Sequence, residues 1–379
     1  MKIIFLTPEY PHDETGHAGG IGTSIRGLAS ALCESGHEVR VVVYGQVSDG
    51  EFTDGQVLIH KVRNVKLKGL SWYLIRKKLQ RIINRLHHEG KVDIVETADW
   101  TGITAFMNIT CPVAIRLHGS DTYFCHIEGR KVKWFNRFLE RRALKAADLH
   151  LSVSAYTARL TNDLFGFSHH YHIVPNGVDG RRFVASPPGP NQVVLYFGSL
   201  IRKKGVLELP LIFNYIHRQY PAARLLLAGK DVPDIQTGQP STWQLMQPLF
   251  EPTAKQNVEY LGAIPYEMMG EVIGQATVCV FPSFAEAFPV SWIEAMASAK
   301  AIVASSIGWA PEVIDDGENG WLVHPQQHKT YAERVVSILQ NPALMRKFGD
   351  NAREKVLTQF DIRSIAKKNV TAYKTALDD

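Results

Sequence analysis

The chain has 379 residues, 45% of them hydrophobic and 21% charged, with a formal net charge of +5. That is the composition of an ordinary globular protein long enough for two cores, and the modest charge does not by itself imply nucleic acid. No apolar run approaches the roughly 18 residues of a membrane span, and the KIIFL start is too short for a signal peptide. Cys33, Cys111, Cys125 and Cys279 are scattered, with no CxxC and no metal-ligand spacing. This favours reduced thiols and a cytoplasmic protein.

In chain order, Lys2–Leu6 reads as a buried strand, followed by a loop with Gly16, Gly19, Gly20 and Gly22. A helix is predicted from about Thr23 to Ser35 and a strand over Glu38–Tyr44, which completes a βαβ unit. Trp72–His88 is predicted helical, Asp93–Glu96 and Val113–Leu117 as strands, Phe135–Ala147 as a helix and His150–Val153 as a strand. After a linker-like SPPGP (Ser186–Pro190) the alternation restarts. Its strands are Val193–Phe197, Arg224–Ala228, Val258–Tyr260, Thr277–Phe281 and Ile302–Ala304, with a helix near Leu207–Arg218. This pattern predicts an α/β protein of two doubly wound, Rossmann-like domains, 1–185 and 186–360. Ligands are expected in a cleft at the C-terminal ends of their parallel strands. The tail from about Asp361 to Asp379 is expected to be a helix packing back on the first domain.

The glycines after the first strand would let backbone approach a phosphate. A dinucleotide fingerprint fails, because the third glycine would fall at Ile25 and the next strand ends in Tyr44-Gly45-Gln46 with no acid. A structural tight turn is the alternative. His118 ends the strand Val113–Leu117 and should point into the ligand crevice, where it would bond a sugar hydroxyl or help carry developing charge. A core or capping histidine is the alternative. Arg202, Lys203, Lys204 and Gly205 follow another strand, where cations would neutralise a pyrophosphate; otherwise they form a solvated basic loop.

Glu286 and Glu294 lie in PSFAEAFPVSWIE, where a strand ends in a turn that carries Glu286 and leads into a predicted helix that carries Glu294. The segment brings together two carboxylates and a helix N-terminus, which suits a phosphate flanked by polyols, as in a nucleotide-sugar. If the eight steps between them were all helical, the rise would be about 12 Å. That is longer than the roughly 5–9.5 Å of hydrolytic carboxylate pairs, so the spacing argues against a glycosidase. The neighbours of Glu294 are apolar or small, which argues against a plain surface residue.

Taken together, the GGIG loop, RLHG at Arg116–Gly119, VPNGVD at Val174–Asp179, Lys204–Gly205, the two glutamates and PEVIDDGENGWLV at Pro311–Val323 resemble the retaining glycosyltransferases of family 4, which have the GT-B fold. The likeness covers nearly the whole chain. It implies that Glu286 holds hydroxyls of the donor hexose and that backbone from Ala287 through Phe288 and Pro289 to Val290 holds the sugar and distal phosphate. It implies that Glu294 binds the ribose, and that Lys204 with Arg202 carries the diphosphate. The glycine loop, Gly19 and Gly20, would approach the phosphate, His118 would face the transferred sugar, and the base would lie near Ile264 in GAIP. One departure concerns the cations: family members often have Arg after the strand, where this chain has Ser199, and Arg202 is the candidate substitute.

The resemblance further implies UDP-glucose or a relative as donor, a glycan or lipid-linked acceptor, surface polysaccharide as product, and no cofactor or metal; no DxD motif stands near the site. A non-hydrolysing UDP-N-acetylhexosamine epimerase and a non-catalytic sugar-nucleotide-binding module are the rival readings. The span from Lys61 to Arg85 holds nine basic residues and no acid, interleaved with Leu70, Trp72, Tyr73, Leu79 and Ile83. This suits an anionic membrane surface at the inner face of the plasma membrane, against the alternative of a domain helix with a solvated basic face.

Overall fold

The computed structural model describes residues 1–16, 18–185 and 192–378. The chain divides into two compact units, Met1–Gly177 with the C-terminal segment from Asp361, and Val178–Phe360. The crossing at 177/178 precedes the boundary expected at 185/186, and the linker-like Ser186–Pro190 lies outside the described residues.

The first unit is built on eight strands: β1 (Lys2–Thr7), β2 (Glu38–Gln46), β3 (Gly50–Asp54), β4 (Val57–Arg63), β5 (Ile94–Ala98), β6 (Val113–Leu117), β7 (Leu149–Ser152) and β8 (His172–Ile173). Their order is β3-β4-β2-β1-β5-β6-β7-β8, parallel throughout except for the β3–β4 hairpin at one edge. The hairpin was not anticipated from sequence. The central strands β5 and β6 are buried along their whole length, as strands covered on both faces must be.

The helix Ser71–His88 shows how the basic span is used. Ile75, Leu79, Ile83 and Leu86 pack on Ile4, Leu6, Val42 and Val95 of the sheet, so the apolar stripe is core and faces no membrane. Arg76 is buried, its guanidinium donating to the carbonyls of Trp72, Thr101 and Gly102. Lys61 pairs with Glu14 and Lys78 with Asp49. The expectation that this helix meets a bilayer through its apolar face is therefore corrected.

The C-terminal helix, beginning at Ile362, packs on the helix Gly20–Glu34 through Ile362, Ile365, Ala366 and Tyr373. A buried polar cluster anchors it. Arg116 binds Glu96 with both oxygens, at 2.7 and 3.0 Å, donates to the Val174 carbonyl at 2.8 Å and also reaches Asn369 Oδ1. The Tyr373 hydroxyl donates to Glu96 Oε2 at 2.5 Å. Gly177 lets the helix approach, since a Cβ there would lie 2.8 Å from the Ile362 side chain. RLHG and VPNG thus carry structure as well as any chemistry.

The second unit holds six parallel strands: β9 (Val193–Phe197), β10 (Arg224–Ala228), β11 (Val258–Tyr260), β12 (Val278–Phe281), β13 (Ala301–Ser305) and β14 (Trp321–Val323), in the order β11-β10-β9-β12-β13-β14. The runs VVLYF, VCVF and AIVAS are wholly buried. Among the described residues no helix is long and apolar enough to cross a membrane, and all four cysteines are free and buried.

The Glu96–Arg116–Tyr373 cluster makes a stability claim. Tyr373→Phe leaves the ring in place but removes a hydrogen bond to a buried carboxylate, and is expected to cost about 1.5–3 kcal/mol. Urea unfolding of the first unit measures it; a loss below about 0.5 kcal/mol, the size of an ordinary surface change, would contradict the anchoring role.

Candidate functional site

In the second unit the C-terminal ends of three neighbouring strands turn on glycine. Gly198 follows β9, Gly229 follows β10 and Gly262 lies two residues beyond β11. The Gly229 N–H donates to the Gly262 carbonyl at 2.7 Å. Gly229 has φ +148°, and a Cβ on it would stand 1.9 Å from the Gly198 carbonyl oxygen, so the strand ends close into a side-chain-free edge. Ser199 and Ile264 flank that edge. Ser199 is held through its own carbonyl, which accepts from the Tyr196 hydroxyl at 2.9 Å.

The turn Arg202–Lys204 ends at Gly205, where φ is +66° and a Cβ would lie 1.7 Å from the Pro282 carbonyl oxygen. Its Lys203 carbonyl accepts from the amides of Phe284 and Ala285 at 2.8 and 3.1 Å. The loop carrying Lys204 is thereby pressed against the loop carrying Glu286. Lys204 Nζ reaches Glu286 Oε1 at 3.2 Å, and the Ser283 hydroxyl donates to the same oxygen at 3.4 Å.

Arg202 is placed otherwise than expected. Its guanidinium binds both oxygens of Asp234 at 2.8 Å, and the Thr237 amide and hydroxyl also donate to that carboxylate. Hydrogen bonding from Arg202 pulls Asp234 well below the usual carboxylate range. This pairing weakens Arg202 as the substitute for the cation missing at Ser199, because two of its donors already hold a nearly inaccessible carboxylate. Lys204 is the better-placed cation. Asp234 lies 32 residues further along the chain, with no local signal to mark it.

Beyond Glu286, Ala287 and Phe288 are buried and Pro289 precedes the helix Val290–Ala297, whose N-terminal amides have no side-chain cap. Those amides carry the positive end of the helix dipole. Glu294 is 5% exposed, and its Oε1 has no hydrogen-bond partner. Burial pushes its carboxyl up to about 7, against the opposing hydrogen bond from Tyr266 and the charges of Arg182 and Lys204. The charge of Lys204 thus acts on both glutamates. A buried carboxyl with an open lone pair invites a hydroxyl donor.

In the first unit the helix begins at Gly20, three residues earlier than expected, and the cause is Glu9. Its carboxylate accepts from Gly19 N–H at 3.0 Å and Gly22 N–H at 2.9 Å, serving as the anion at the helix start. Gly22 packs tightly, its Cβ position lying 2.6 Å from Ala18 Cβ, whereas a Cβ on Gly20 would meet nothing within 4 Å.

His118 stands at the end of β6, buried and facing a small cavity lined by Ser24, Glu96, Arg116, Asn176 and Ile362. Burial, with the Arg116 charge, lowers its imidazole to about 3. It is neutral at physiological pH, so it offers a hydrogen bond and brings no positive charge. Asp99 accepts from the His118 N–H at 2.9 Å and fixes its backbone. Burial raises Asp99 to about 8, and its Oδ2 has no partner. Both Glu9 and Asp99 escaped sequence reasoning, and only Asp99's place at the end of β5 offered a cue. Among the described residues no three His, Cys, Asp or Glu side chains are grouped to hold a metal.

Comparison with known proteins identifies the family and the fold. The sequence model described as Glycosyltransferase Family 4 matches residues 18–182, and that described as Glycosyl transferases group 1 matches residues 180–355. The alpha-maltose-1-phosphate synthase of Mycolicibacterium smegmatis is 26% identical over 99% of both chains. The MMP alpha-(1->4)-mannosyltransferase of Mycolicibacterium hassiacum is 24% identical over 100% of this chain and 98% of its own. Among solved structures, sucrose-phosphate synthase from Thermosynechococcus elongatus superimposes with a TM-score of 0.82 at 22% identity over all of both chains. HepE from Anabaena, in complex with UDP-glucose, gives 0.76 at 19% identity over 99% of this chain and 100% of its own. The chain belongs to glycosyltransferase family 4 and has the GT-B fold, two Rossmann-like α/β units with parallel sheets.

The raised Glu294 carboxyl has a stability consequence. Its folded value of about 7 lies above an unfolded value near 4.3, so the folded chain holds an extra proton between them. The stability this group supplies is full below about pH 4 and is lost as pH rises through 7. Glu294→Gln is expected to gain on the wild type by on the order of 3 kcal/mol across that window. Urea unfolding of the second unit at a series of pH values measures the gain, and a difference independent of pH would contradict it.

Proposed function

We propose that the chain transfers a hexose from a nucleoside diphosphate sugar to a saccharide or lipid-linked hydroxyl, with retention of the anomeric configuration and without a metal. The observation that carries this reading is the Lys204–Glu286 pair at 3.2 Å beside an uncapped helix start, with the open carboxyl of Glu294 within reach of the same lysine's charge. A donor would place its hexose hydroxyls on Glu286, its phosphates on Lys204 and the helix amides, and its ribose hydroxyls on Glu294. The base would lie along the glycine edge near Ile264. The UDP and UDP-glucose in the names of the HepE structures support a uridine donor, and the mannosyl transfer named for the Mycolicibacterium hassiacum relative supports a hexosyl group. Surface polysaccharide is the product proposed.

In the reaction the bond from C1 to the diphosphate oxygen breaks first and its electron pair stays on the diphosphate. Lys204 and the helix amides stabilise that charge. The acceptor oxygen bonds C1 on the same face, and its proton passes to the departing phosphate oxygen. The first unit's edge, with neutral His118 as a hydrogen-bonding group, would receive the acceptor.

Incubation of the chain with UDP-glucose and a panel of saccharide and lipid-linked acceptors tests this. Free nucleoside diphosphate and an enlarged glycan of retained configuration are expected; an isomerised nucleotide-sugar, or no product, would refute it. Glu286→Gln and Lys204→Ala are each expected to lower kcat/KM by about 100-fold or more, the scale of losing a charge-stabilising donor, with the circular dichroism spectrum unchanged. Chelation with EDTA is expected to leave the rate unaltered, and a rate restored only by added divalent cation would contradict the metal-free reading.

A further inference from the structure

Glu294 has neighbours to which the transfer reading gives no role. The carboxyl is buried and its Oε1 accepts no hydrogen bond, while the Tyr266 hydroxyl donates to the other oxygen. Tyr266 opens the turn Tyr266–Met268 directly after Pro265, whereas Glu294 belongs to the helix Val290–Ala297. The last torsion of a glutamate has no sharp minimum, so a buried carboxyl without a partner can turn. One bond to one oxygen fixes the plane of the group, and with it the direction of the second oxygen.

The Tyr266 ring is itself held. The Arg182 guanidinium lies 4.1 Å over its centroid, a cation–π contact, and the Phe183 ring meets it edge-on at 6.2 Å and 66°. Arg182 also pairs with Glu267 at 3.6 Å. Arg353 joins this segment to the helix that carries Glu294. Its guanidinium donates to the Phe183 carbonyl at 2.8 Å and to the carbonyl of Ala297, the last residue of that helix. The contacts form a closed circuit within the second unit. It runs from Glu294 along its helix to Ala297, through Arg353 to Phe183, across to the Tyr266 ring, and back through the hydroxyl to Glu294.

We propose that Tyr266 is a positioning residue of the donor site: its hydroxyl fixes one oxygen of Glu294 so that the open oxygen meets a ribose hydroxyl, while Arg182 and Phe183 hold the ring in place. This rests on the donor reading given above and adds to it the group that sets the geometry of ribose recognition. Arg182 and Lys204 favour the charged carboxylate that such a hydroxyl would meet. The arrangement also makes the site selective for a ribonucleotide. A sugar lacking both hydroxyls leaves Oε1 buried and unpartnered, and an unpaired buried acceptor is costly.

Binding of UDP and of 2′,3′-dideoxy-UDP to the full chain is measured by calorimetry, with no acceptor and no turnover. The wild type is expected to hold UDP about tenfold or more tightly than the dideoxy nucleotide. Tyr266→Phe keeps the ring and its contacts and loses the hydroxyl. It is expected to weaken UDP by about tenfold and to leave the dideoxy nucleotide within about twofold of the wild type, whereas a merely structural role would weaken both alike. Tyr266→Phe combined with Glu294→Gln is expected to bind UDP no worse than Glu294→Gln alone, because the hydroxyl acts through the carboxylate. Equal wild-type affinity for the two nucleotides, unaltered UDP affinity in Tyr266→Phe, equal weakening of both nucleotides, or additive losses in the double variant would overturn the proposal and leave the donor reading standing. Absence of UDP binding to the wild type would overturn both.

Discussion

The second unit's site rests on a backbone contact. At Gly205 the chain passes so close to Pro282 that a Cβ would lie 1.7 Å from the Pro282 carbonyl oxygen. Two amides from the following loop, Phe284 and Ala285, converge on the Lys203 carbonyl. Glycine at φ +66° is the residue type that meets both demands. Through this contact the end of β9 and the end of β12 become one rigid surface, and Lys204 and Glu286 face each other across it. Without it two loops would have to find the same geometry at an entropic cost of roughly 1–2 kcal/mol per residue ordered.

The two glutamates then differ by environment. Glu286 has a cation at hydrogen-bond range, so its charge is offset where it stands. Glu294 sits deeper, with one hydroxyl partner and an Oε1 that accepts no hydrogen bond, and its carboxyl rises toward neutrality. A ligand hydroxyl would supply the missing donor and favour the charged form, so binding there and ionisation are coupled. Neither arrangement is that of a general acid and base across a scissile bond. In the transfer we propose, the developing charge of a leaving diphosphate would fall to Lys204 and the helix amides, since Arg202 is engaged by Asp234 and His118 is neutral.

Much of this was legible in the sequence because it is local. The buried strands announce themselves as short apolar runs, and Gly198 and Gly229 each directly follow one. What was hidden is tertiary. Glu9 sits in an unremarkable TPEYP loop, yet its carboxylate organises the glycine loop and starts the helix early. Asp234 captures Arg202 from 32 residues away. The stripe Ile75, Leu79, Ile83 and Leu86 has the same periodicity whether it meets lipid or a sheet, and only the fold decides between them. The units divide at 177/178, where Gly177 leaves room for Ile362 of the C-terminal helix, a contact between distant parts of the chain.

The account's central claim is that Arg202–Val206 and Pro282–Glu294 form one nucleotide-sugar surface. Amide hydrogen exchange with and without UDP-glucose tests it most directly. The two segments are expected to slow together on adding the donor, with the largest change at the start of the helix Val290–Ala297. Protection confined to other parts of the chain, or slowing of one segment without the other, would contradict the claim.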